Sequence, residues 1–286
     1  MQLTRSRLAG LFLALLALFA GLWWLSWHDD TLARARTDAG LRIGYAVEPP
    51  YAFLTADGEV TGEAPEIVRH VAAQLGIKHI EWRQVEFGKL IDALETGQID
   101  VIAAGMFITP EREERVRFSV PTLQVHPGLL VARGNPKRIS SYREAAARDD
   151  VFIAVLAGAV EERILRQLGA PDERLVVVPD APTGRQAIET GLADALLLSE
   201  PTVRWMAHQA ELGQTESVET SFQAGEAEAY GRPAFAFRSD DQGLWEVWNV
   251  ALQAYLHSPE HTALLARLGL APEPKRERVP QGATPK

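Results

Sequence analysis

The stretch ALETGQIDVIAA, residues 93–104, leads from a helical pattern through E-T-G to an aspartate and an uninterrupted apolar run. A glycine behind a helical pattern is a common helix stop, and a continuous apolar run predicts a strand buried on both faces. The stretch AIETGLADALLL, residues 187–198, repeats this order. The repetition predicts two lobes built from similar α/β units. The same join is common in α/β proteins, so the surrounding sequence has to decide.

Short apolar strands alternate with helical patterns on both sides of these stretches, which is typical of an α/β protein with mainly parallel sheets. The helical pattern of residues 65–76 has Pro65 at its first position and Gly76 as its stop. Gly97, Gly169 and Gly191 end three further helical patterns in the same way. The predicted strands cover residues 41–47, 80–85, 99–106, 152–158, 175–180, 193–200 and 233–238, and the predicted helices cover 65–76, 87–97, 159–169, 182–191, 243–256 and 259–269.

Composition excludes several classes of function. A formal net charge of -9 argues against nucleic-acid binding, which needs a basic surface, and the partner is therefore expected to be small or a protein. The absence of cysteine excludes thiolate metal sites, disulfides and cysteine nucleophiles. No motif for phosphate binding or nucleophilic catalysis occurs, and we predict no cofactor. His257 and His261 have the spacing of a metal pair, but Pro259 lies between them, so we interpret them as surface histidines without a metal.

The N-terminus predicts export. An uncharged apolar run from Leu8 to Trp27 follows basic residues and precedes acidic ones, which places the N-terminus in the cytoplasm and the rest outside. The run has about the 20 residues that span a bilayer, and tryptophans lie at its end, as in an interfacial belt. Residues 1–30 are therefore predicted to form a hydrophobic helix, either an uncleaved membrane anchor or a cleaved signal. Residues 273–286 are proline-rich and charged, and we predict a disordered tail.

Polar and aromatic residues follow three predicted strands of the first half. In open α/β sheets, ligands bind just beyond the carboxyl ends of the strands. The two prolines of EPPYAF, residues 48–53, cannot continue a buried strand, so the chain leaves the sheet there. The strand ends together offer three rings, a carboxylate, a hydroxyl and a guanidinium, from Glu48, Tyr51, Phe87, Phe107, Thr109 and Arg112. This combination suits a small zwitterion.

Each of these residue types has a physical role in such a site. Aromatic rings attract a cation through their quadrupoles, and a carboxylate adds charge pairing. Arg112 can bind a ligand carboxylate through two parallel hydrogen bonds, and Thr109 is placed to cap a short helix that begins at Pro110. Simpler interpretations exist, since a phenylalanine is often core, Arg112 lies in a charge run and Glu48 could belong to a surface turn. The spacing alone does not choose between them.

The stretch GMFITPEREERVRFSVPT, residues 105–122, resembles the type 2 periplasmic solute-binding proteins of ABC transporters, in the polar amino acid group. The resemblance extends from Leu41 to about Gly269 and implies a two-lobed Venus-flytrap fold with an ABC permease as partner. In relatives the arginine of T-P-E-R, here Arg112, binds the ligand carboxylate. EPPYAF, GEAPEIV, GMFITPER and SEPTVRWM are most similar to ectoine and hydroxyectoine binding proteins. That likeness implies that Glu48, Tyr51, Phe87 and Phe107 enclose a delocalised cation.

Two positions depart from the amino acid receptors in this resemblance. Those receptors usually hold the α-ammonium of the ligand with an aspartate at the end of the strand that here reads ADALLLSE, where this chain has Ser199. The change favours a cation spread over a ring or methylated. Many relatives have serine or threonine where this chain has Ala159, so the backbone N–H groups of Ala159 and Val160 are the expected anion donors at that helix start.

The resemblance also implies how the chain is divided and where it works. We expect residues 40–125 and 229–272 to form lobe 1 and residues 126–228 to form lobe 2. Crossovers near 121–128 and 228–233 would let the lobes close on a ligand. The expected location is the periplasm, free or anchored to the inner membrane through Leu8–Trp27.

The same features leave two rival functions open. One is a tethered sensory module, which the predicted anchor favours. The other is an enzyme resembling cyclohexadienyl dehydratases, with Glu48 or Glu200 as general acid. We expect a binding protein rather than an enzyme.

Overall fold

The computed structural model describes residues 31–208, 214–218 and 231–271. The predicted helix at Leu8–Trp27 and the predicted tail at 273–286 lie outside them. No helix within the described ranges is both long and apolar enough to cross a membrane. The strands are β1 Leu41–Tyr45, β2 Phe53–Leu54, β3 Val60–Thr61, β4 Ile80–Gln84, β5 Val101–Ile102, β6 Val116–Phe118, β7 Pro127–Ala132, β8 Ile153–Leu156, β9 Leu175–Val178, β10 Ala195–Ser199, β11 Thr215–Val218 and β12 Ala236–Arg238. The α-helices are α1 Thr31–Ala35, α2 Glu63–Gln74, α3 Leu90–Glu95, α4 Pro110–Glu113, α5 Tyr142–Ala147, α6 Val160–Gln167, α7 Ala181–Glu189, α8 Glu200–His208, α9 Gln242–Tyr255 and α10 Pro259–Arg267.

Two five-stranded sheets divide the molecule into two lobes. Lobe 1 is built on the sheet β4-β1-β5-β12-β6, in which β1 is parallel to β4 and β5 while β12 is antiparallel to β5 and β6. Lobe 2 is built on the sheet β11-β7-β10-β8-β9, in which β8 is parallel to β9 and β10. The two-lobed α/β fold predicted from the sequence is therefore confirmed.

Buried aromatic residues fix the C-terminal helix α9 on lobe 1. Trp248 has no exposed surface and meets the rings of Phe235 and Phe237 edge-on, at centroid distances of 5.3 and 5.6 Å. Such edge-to-face pairs are the favoured geometry of aromatic rings. Helix α9 thus completes the core of lobe 1, the lobe that also contains strand β1.

The repeated aspartates have the same structural role in both lobes. A carboxylate oxygen of Asp100 accepts the backbone N–H of Arg42 at 3.0 Å, and the Asp100 N–H donates back to the Arg42 carbonyl at 2.8 Å. Asp194 makes the equivalent pair of bonds with Phe152, at 2.9 and 2.8 Å. In each lobe the aspartate therefore holds the strand that follows it against the start of the neighbouring parallel strand. The echo between the two halves is a repeated structural device.

Helix α2 begins at Glu63, so the prediction that Pro65 is its first residue is wrong by two positions. The loop of EPPYAF explains the earlier start, because the carbonyls of Pro50 and Tyr51 accept the first helical N–H groups, at 3.0 Å each. Helix N-termini need such partners. A proline is still tolerated within the first turn, where its missing N–H has no intrahelical acceptor.

Strand β5 is shorter than predicted, because ladder pairing stops at Ile102. Beyond Ile102 the backbone turns at Gly105, which has φ +64°. After this turn, Phe107 lies at the cavity between the lobes. No prediction was made for β7, β11, α5 and α8, which complete lobe 2. Strand β7 is as apolar as its neighbours, but it begins at Pro127, within the stretch that was predicted to be a crossover.

The first crossover lies beside the described part of the second, residues 231–233. Val125 pairs with Gly231, and the Thr122 N–H donates to the Pro233 carbonyl at 2.9 Å. Phe107 also pairs with Pro233. Phe107, in the loop after β5, is thus paired with the second crossover, the segment at which the lobes would move.

Candidate functional site

A small cavity lies where the two sheets face each other, at the carboxyl ends of β1, β5 and β10. Its volume is about 20 Å³, which leaves room for about one water molecule. Lobe 1 and lobe 2 both contribute to its walls, which are formed by Glu48, Phe87, Gly105, Phe107, Arg112, Ala159, Val160, Glu161, Leu198 and Ser199. Seven of these are sequence-predicted site residues. Tyr51 and Thr109 are the predicted residues that do not line the cavity.

Arg112 joins the two lobes at this cavity. Its guanidinium donates to the carbonyl oxygens of Phe107 at 2.8 Å and, in lobe 2, of Gly158 at 3.0 Å. The Arg112 Cζ lies 5.5 Å from the ring centroid of Phe87, a cation–π arrangement. Burial lowers the pKa of Arg112 to about 10, so it stays a cation at neutral pH.

Thr109 supports Arg112 from behind. The Thr109 hydroxyl accepts the backbone N–H of Arg112 at 3.3 Å and so caps the short helix α4 that begins at Pro110. This cap was predicted from the sequence and is confirmed. The contribution of Thr109 to the site is therefore to orient the helix that carries Arg112.

A chain of buried hydroxyls connects Tyr51 to Glu48 through lobe 2. The Tyr51 hydroxyl donates to Ser199 at 3.1 Å, Ser199 and Thr202 are 3.0 Å apart, and Thr202 donates to a Glu48 carboxylate oxygen at 2.8 Å. Each hydroxyl has one hydrogen, so Ser199 is the donor in the middle bond. All four residues are at least 94% buried, since their exposed fractions are 6% or less. The chain fixes the position of the Glu48 carboxylate across the lobe boundary.

Burial controls the charge of Glu48. Desolvation raises its pKa to about 8, against the opposing effects of the Thr202 hydrogen bond and of Arg112. The charge of Glu161 raises the Glu48 pKa further. Glu48 is thus a carboxyl group whose ionisation depends on what lies beside it.

Tyr51 packs as a core residue and reaches the site only with its hydroxyl. A Cβ at Gly105 would lie 2.6 Å from the Tyr51 ring, so only glycine permits this packing. The ring is 99% buried. Phe107 has a similar relation to the second crossover, because a Cβ at Gly231 would lie 2.3 Å from its ring. Its ring is partly exposed and forms part of the cavity wall.

Glu161 is the main cavity residue that the sequence reasoning missed. It follows Ala159 and Val160 at the start of α6 and is 96% buried. Burial raises its pKa to about 7, and Arg112 opposes that rise. The sequence contained a signal for Glu161, because Ala159 and Val160 were already placed at the ligand-facing helix start and an acidic residue is next to them.

Thr202, two residues after Glu200, was also missed.

Two other sequence interpretations change. Glu200, considered as a general acid, pairs with Arg204 at 2.9 Å on helix α8 and is not part of the cavity wall. His261 was interpreted as a surface residue, which is wrong, because it is 97% buried and its ring accepts the His257 N–H at 3.3 Å. The ring packs edge-on to Tyr255, which explains its burial.

Residues 41–269 match the family described as bacterial extracellular solute-binding proteins, family 3. The chain belongs to this family. The match spans both crossovers and all the cavity residues, and it confirms the resemblance drawn from the T-P-E-R stretch.

Particular relatives of this family 3 protein are known. It is 32% identical over 250 residues to a probable amino-acid ABC transporter periplasmic-binding protein, y4tE, of Sinorhizobium fredii, covering 85% of this chain and 81% of the relative. The crystal structure of EhuB in complex with hydroxyectoine is similar, with a TM-score of 0.76 and 29% identity, covering 84% of this chain and 92% of EhuB. The ancestral amino acid-binding protein AncCDT-1, a precursor of cyclohexadienyl dehydratase, has a TM-score of 0.73 and 26% identity, covering 83% and 99%.

Proposed function

We propose that this family 3 protein is an extracytoplasmic receptor that closes on a small zwitterionic solute, an ectoine-like compatible solute or amino acid derivative, and delivers it to an ABC importer. The observation that carries the proposal is the cavity between the lobes, where Arg112 lies with carboxylates and the rings of Phe87 and Phe107. A guanidinium suits the carboxylate of a zwitterion, while the rings and carboxylates suit its cation.

The contacts across the cavity explain how a solute would act. The bonds from Thr202 to Glu48, from Tyr51 to Ser199 and from Arg112 to Gly158 all join the lobes. A cavity of about 20 Å³ is too small for an amino acid, so the lobes have to separate before a solute enters. The solute then replaces these bonds with its own and shifts the equilibrium between open and closed forms.

Relatives support the class of solute and the transporter. The Sinorhizobium relative is described as part of an amino-acid ABC transporter, and EhuB was crystallised with hydroxyectoine. Ser199 lies where an aspartate would hold an α-ammonium, and the site retains Glu48 as a carboxylate instead. This arrangement favours a delocalised cation over the α-ammonium of an ordinary amino acid. The periplasm is the compartment in which such a receptor works.

A binding panel tests the proposal. Thermal shift and tryptophan fluorescence are measured with ectoine, hydroxyectoine, betaines, proline and the common amino acids, and hits are quantified by calorimetry. We expect a stabilising response to at least one zwitterion, because a ligand that binds the folded state raises its apparent stability. A response to none of these solutes would overturn the receptor proposal.

The enzymatic alternative has one observation in its favour, the raised pKa of Glu48, which would keep a proton available near neutral pH. The same panel therefore includes prephenate and arogenate, with product formation followed by absorbance. Turnover would favour a dehydratase, whereas reversible binding of a zwitterion without turnover supports the receptor.

Closure itself can be tested at Gly88. Its backbone meets lobe 2 so closely that a Cβ would lie 2.9 Å from the Ala157 carbonyl oxygen, and a Cβ at Gly158 would lie 2.7 Å from the Gly88 Cα. We expect Gly88→Ala to hold the lobes apart and weaken solute binding about tenfold, since overpacking costs about 1–3 kcal/mol. Gly243→Ala is the control, because nothing lies within 4 Å of the position that its Cβ would take. Equal affinities of the two variants in calorimetry would contradict this account of closure.

A further inference from the structure

Glu161 brings a second carboxylate to the cavity, from the lobe opposite Glu48. In the part of the chain that the structure describes, its own backbone N–H is the donor that bonds to its carboxylate. The side chain is nevertheless 96% buried and lines the cavity. A buried carboxylate with so few donors is costly unless something else supplies them.

The neighbouring groups in the described residues 31–208, 214–218 and 231–271 hydrogen-bond to other partners. Arg112 faces Glu161 from lobe 1 and acts on it through its charge, but its guanidinium donates to the carbonyls of Phe107 and Gly158. The hydroxyl of Tyr142, on helix α5, donates to the carbonyls of Gly128 and Leu198. On the helix of Glu161 itself, Arg163 pairs with Glu111 at 3.4 Å.

When both carboxyl groups are ionised, the charges around the cavity do not balance within the described part of the protein. Glu48 and Glu161 contribute two carboxylates, and Arg112 contributes one guanidinium. When the carboxylate of a zwitterion neutralises Arg112, both protein carboxylates remain available on opposite walls. Each of them needs hydrogen-bond donors, which a positive group without N–H cannot provide.

We propose that Glu161 shares the positive group of the solute with Glu48, so that the site selects cations carrying at least two N–H donors, such as amidinium or guanidinium, over quaternary ammonium groups. This inference rests on the proposed function and narrows it. Glu48 would accept one N–H from the side of lobe 1 and Glu161 another from lobe 2. The cation would thereby hold the two lobes together, which is the step that signals a filled receptor.

Proton release is a consequence of this arrangement. Burial raises the pKa values of Glu48 and Glu161, to about 8 and about 7, so near pH 6.5 both groups hold protons when the lobes are closed without a cation. A bound cation favours the ionised carboxylates, so binding expels protons and strengthens as the pH rises from about 6 to about 8. The charged and titratable groups that face Glu161 are Arg112, Glu48, Tyr51 and Tyr142.

Calorimetry of the full chain tests the proposal with solutes chosen by their N–H count. Hydroxyectoine and arginine carry a delocalised cation with N–H donors. The cation of glycine betaine is a quaternary ammonium group, which has no N–H donor. Titrations at pH 6, 7 and 8, each in two buffers of different ionisation heat, give both affinity and proton release. We expect the wild type to prefer an N–H donor solute over glycine betaine by at least about tenfold and to release protons near pH 7.

Two glutamate variants separate the role of Glu161 from a general effect of charge. Glu161→Gln is expected to weaken the donor solute by about tenfold at pH 8 and to reduce proton release. Glu173→Gln, an exposed glutamate of lobe 2 outside the cavity, is expected to change neither. Circular dichroism checks that both variants fold. If Glu161→Gln does not fold, the solute preference and the proton release of the wild type still decide the test.

The outcomes distinguish the two proposals. Wild-type protein that binds no solute overturns the receptor function and this inference with it. Wild-type protein that binds zwitterions with equal affinity for glycine betaine, or with an affinity that Glu161→Gln leaves unchanged, overturns the role of Glu161 alone.

Discussion

Arg112→Ala is expected to weaken binding of the solute by about 100-fold. The substitution would remove the charge-assisted hydrogen bonds that we propose between Arg112 and the carboxylate of the solute. It also leaves Glu48 and Glu161 beside the cavity without their counter-charge. Breaking a buried charged pairing costs about 3 kcal/mol, which corresponds to roughly 100-fold in Kd. Calorimetry with the best solute of the panel measures the change.

Two further arginine variants sharpen this test. Arg112→Lys keeps the positive charge but not the forked donor geometry, so we expect an intermediate loss of about tenfold. Arg115→Ala is the control, because Arg115 is exposed and pairs with Asp92 and Glu95 on the surface. It should leave affinity unchanged, since exposed ion pairs contribute less than about 1 kcal/mol. Unchanged affinity in Arg112→Ala would place the anion site elsewhere.

Local sequence signals were sufficient for many of the elements and for most of the cavity wall. Prolines and glycines mark where the strands of lobe 1 end, and the residues placed after those ends, such as Glu48, Phe107 and Arg112, meet at the cavity. The aspartates after the E-T-G stretches indicated repeated units, and Asp100 and Asp194 make matching bonds. These predictions succeed because strand ends and helix stops depend on neighbouring residues.

Contacts between the lobes were beyond such reasoning. Thr202 reaches Glu48 across 154 positions of sequence, and Ser199 reaches Tyr51 across 148. Nothing local distinguishes these hydroxyls from other serines and threonines. The packing of Tyr51 on Gly105 likewise turned a predicted ring of the pocket into a core side chain with a hydroxyl at the boundary. Whether a ring is wall or core is decided by residues that are distant in sequence, in this case within the same lobe.

Glu63 is a buried carboxyl beside the first crossover, outside the cavity. It is 99% buried, and one of its oxygens has no hydrogen-bond partner in the part of the chain that the structure describes. The Thr122 hydroxyl, which donates to the Pro233 carbonyl at 3.4 Å, shares a hydrogen bond with the carboxyl group, and Thr122 lies in the crossover itself. Burial nevertheless raises the pKa of Glu63 to about 7, from 4.5. The folded state therefore keeps a proton here that the unfolded chain releases.

This proton links stability to pH in a direction opposite to that of an ion-paired carboxylate. Between about pH 4.5 and 7 the folded Glu63 is protonated while the unfolded Glu63 is not, so the free energy of unfolding falls as the pH rises. Above about pH 7 both forms are ionised and the loss is complete. Glu48 and Glu161 act in the same direction, but they are present in any Glu63 variant and cancel in a comparison with wild type.

Glu63→Gln is accordingly expected to gain stability relative to wild type as the pH rises from 5 to 8, by on the order of 3 kcal/mol. Glutamine keeps the shape and an acceptor oxygen for Thr122 but cannot ionise. Denaturant unfolding followed by tryptophan fluorescence at pH 5, 6, 7 and 8 gives the difference at each pH. Glu59→Gln is the control, because Glu59 is exposed in the same region of lobe 1 and its difference from wild type should stay within about 0.5 kcal/mol throughout. A difference between Glu63→Gln and wild type that is the same at pH 5 and pH 8 would mean that Glu63 is ionised in the folded protein, and the buried carboxyl would then need a counter-charge at the crossover.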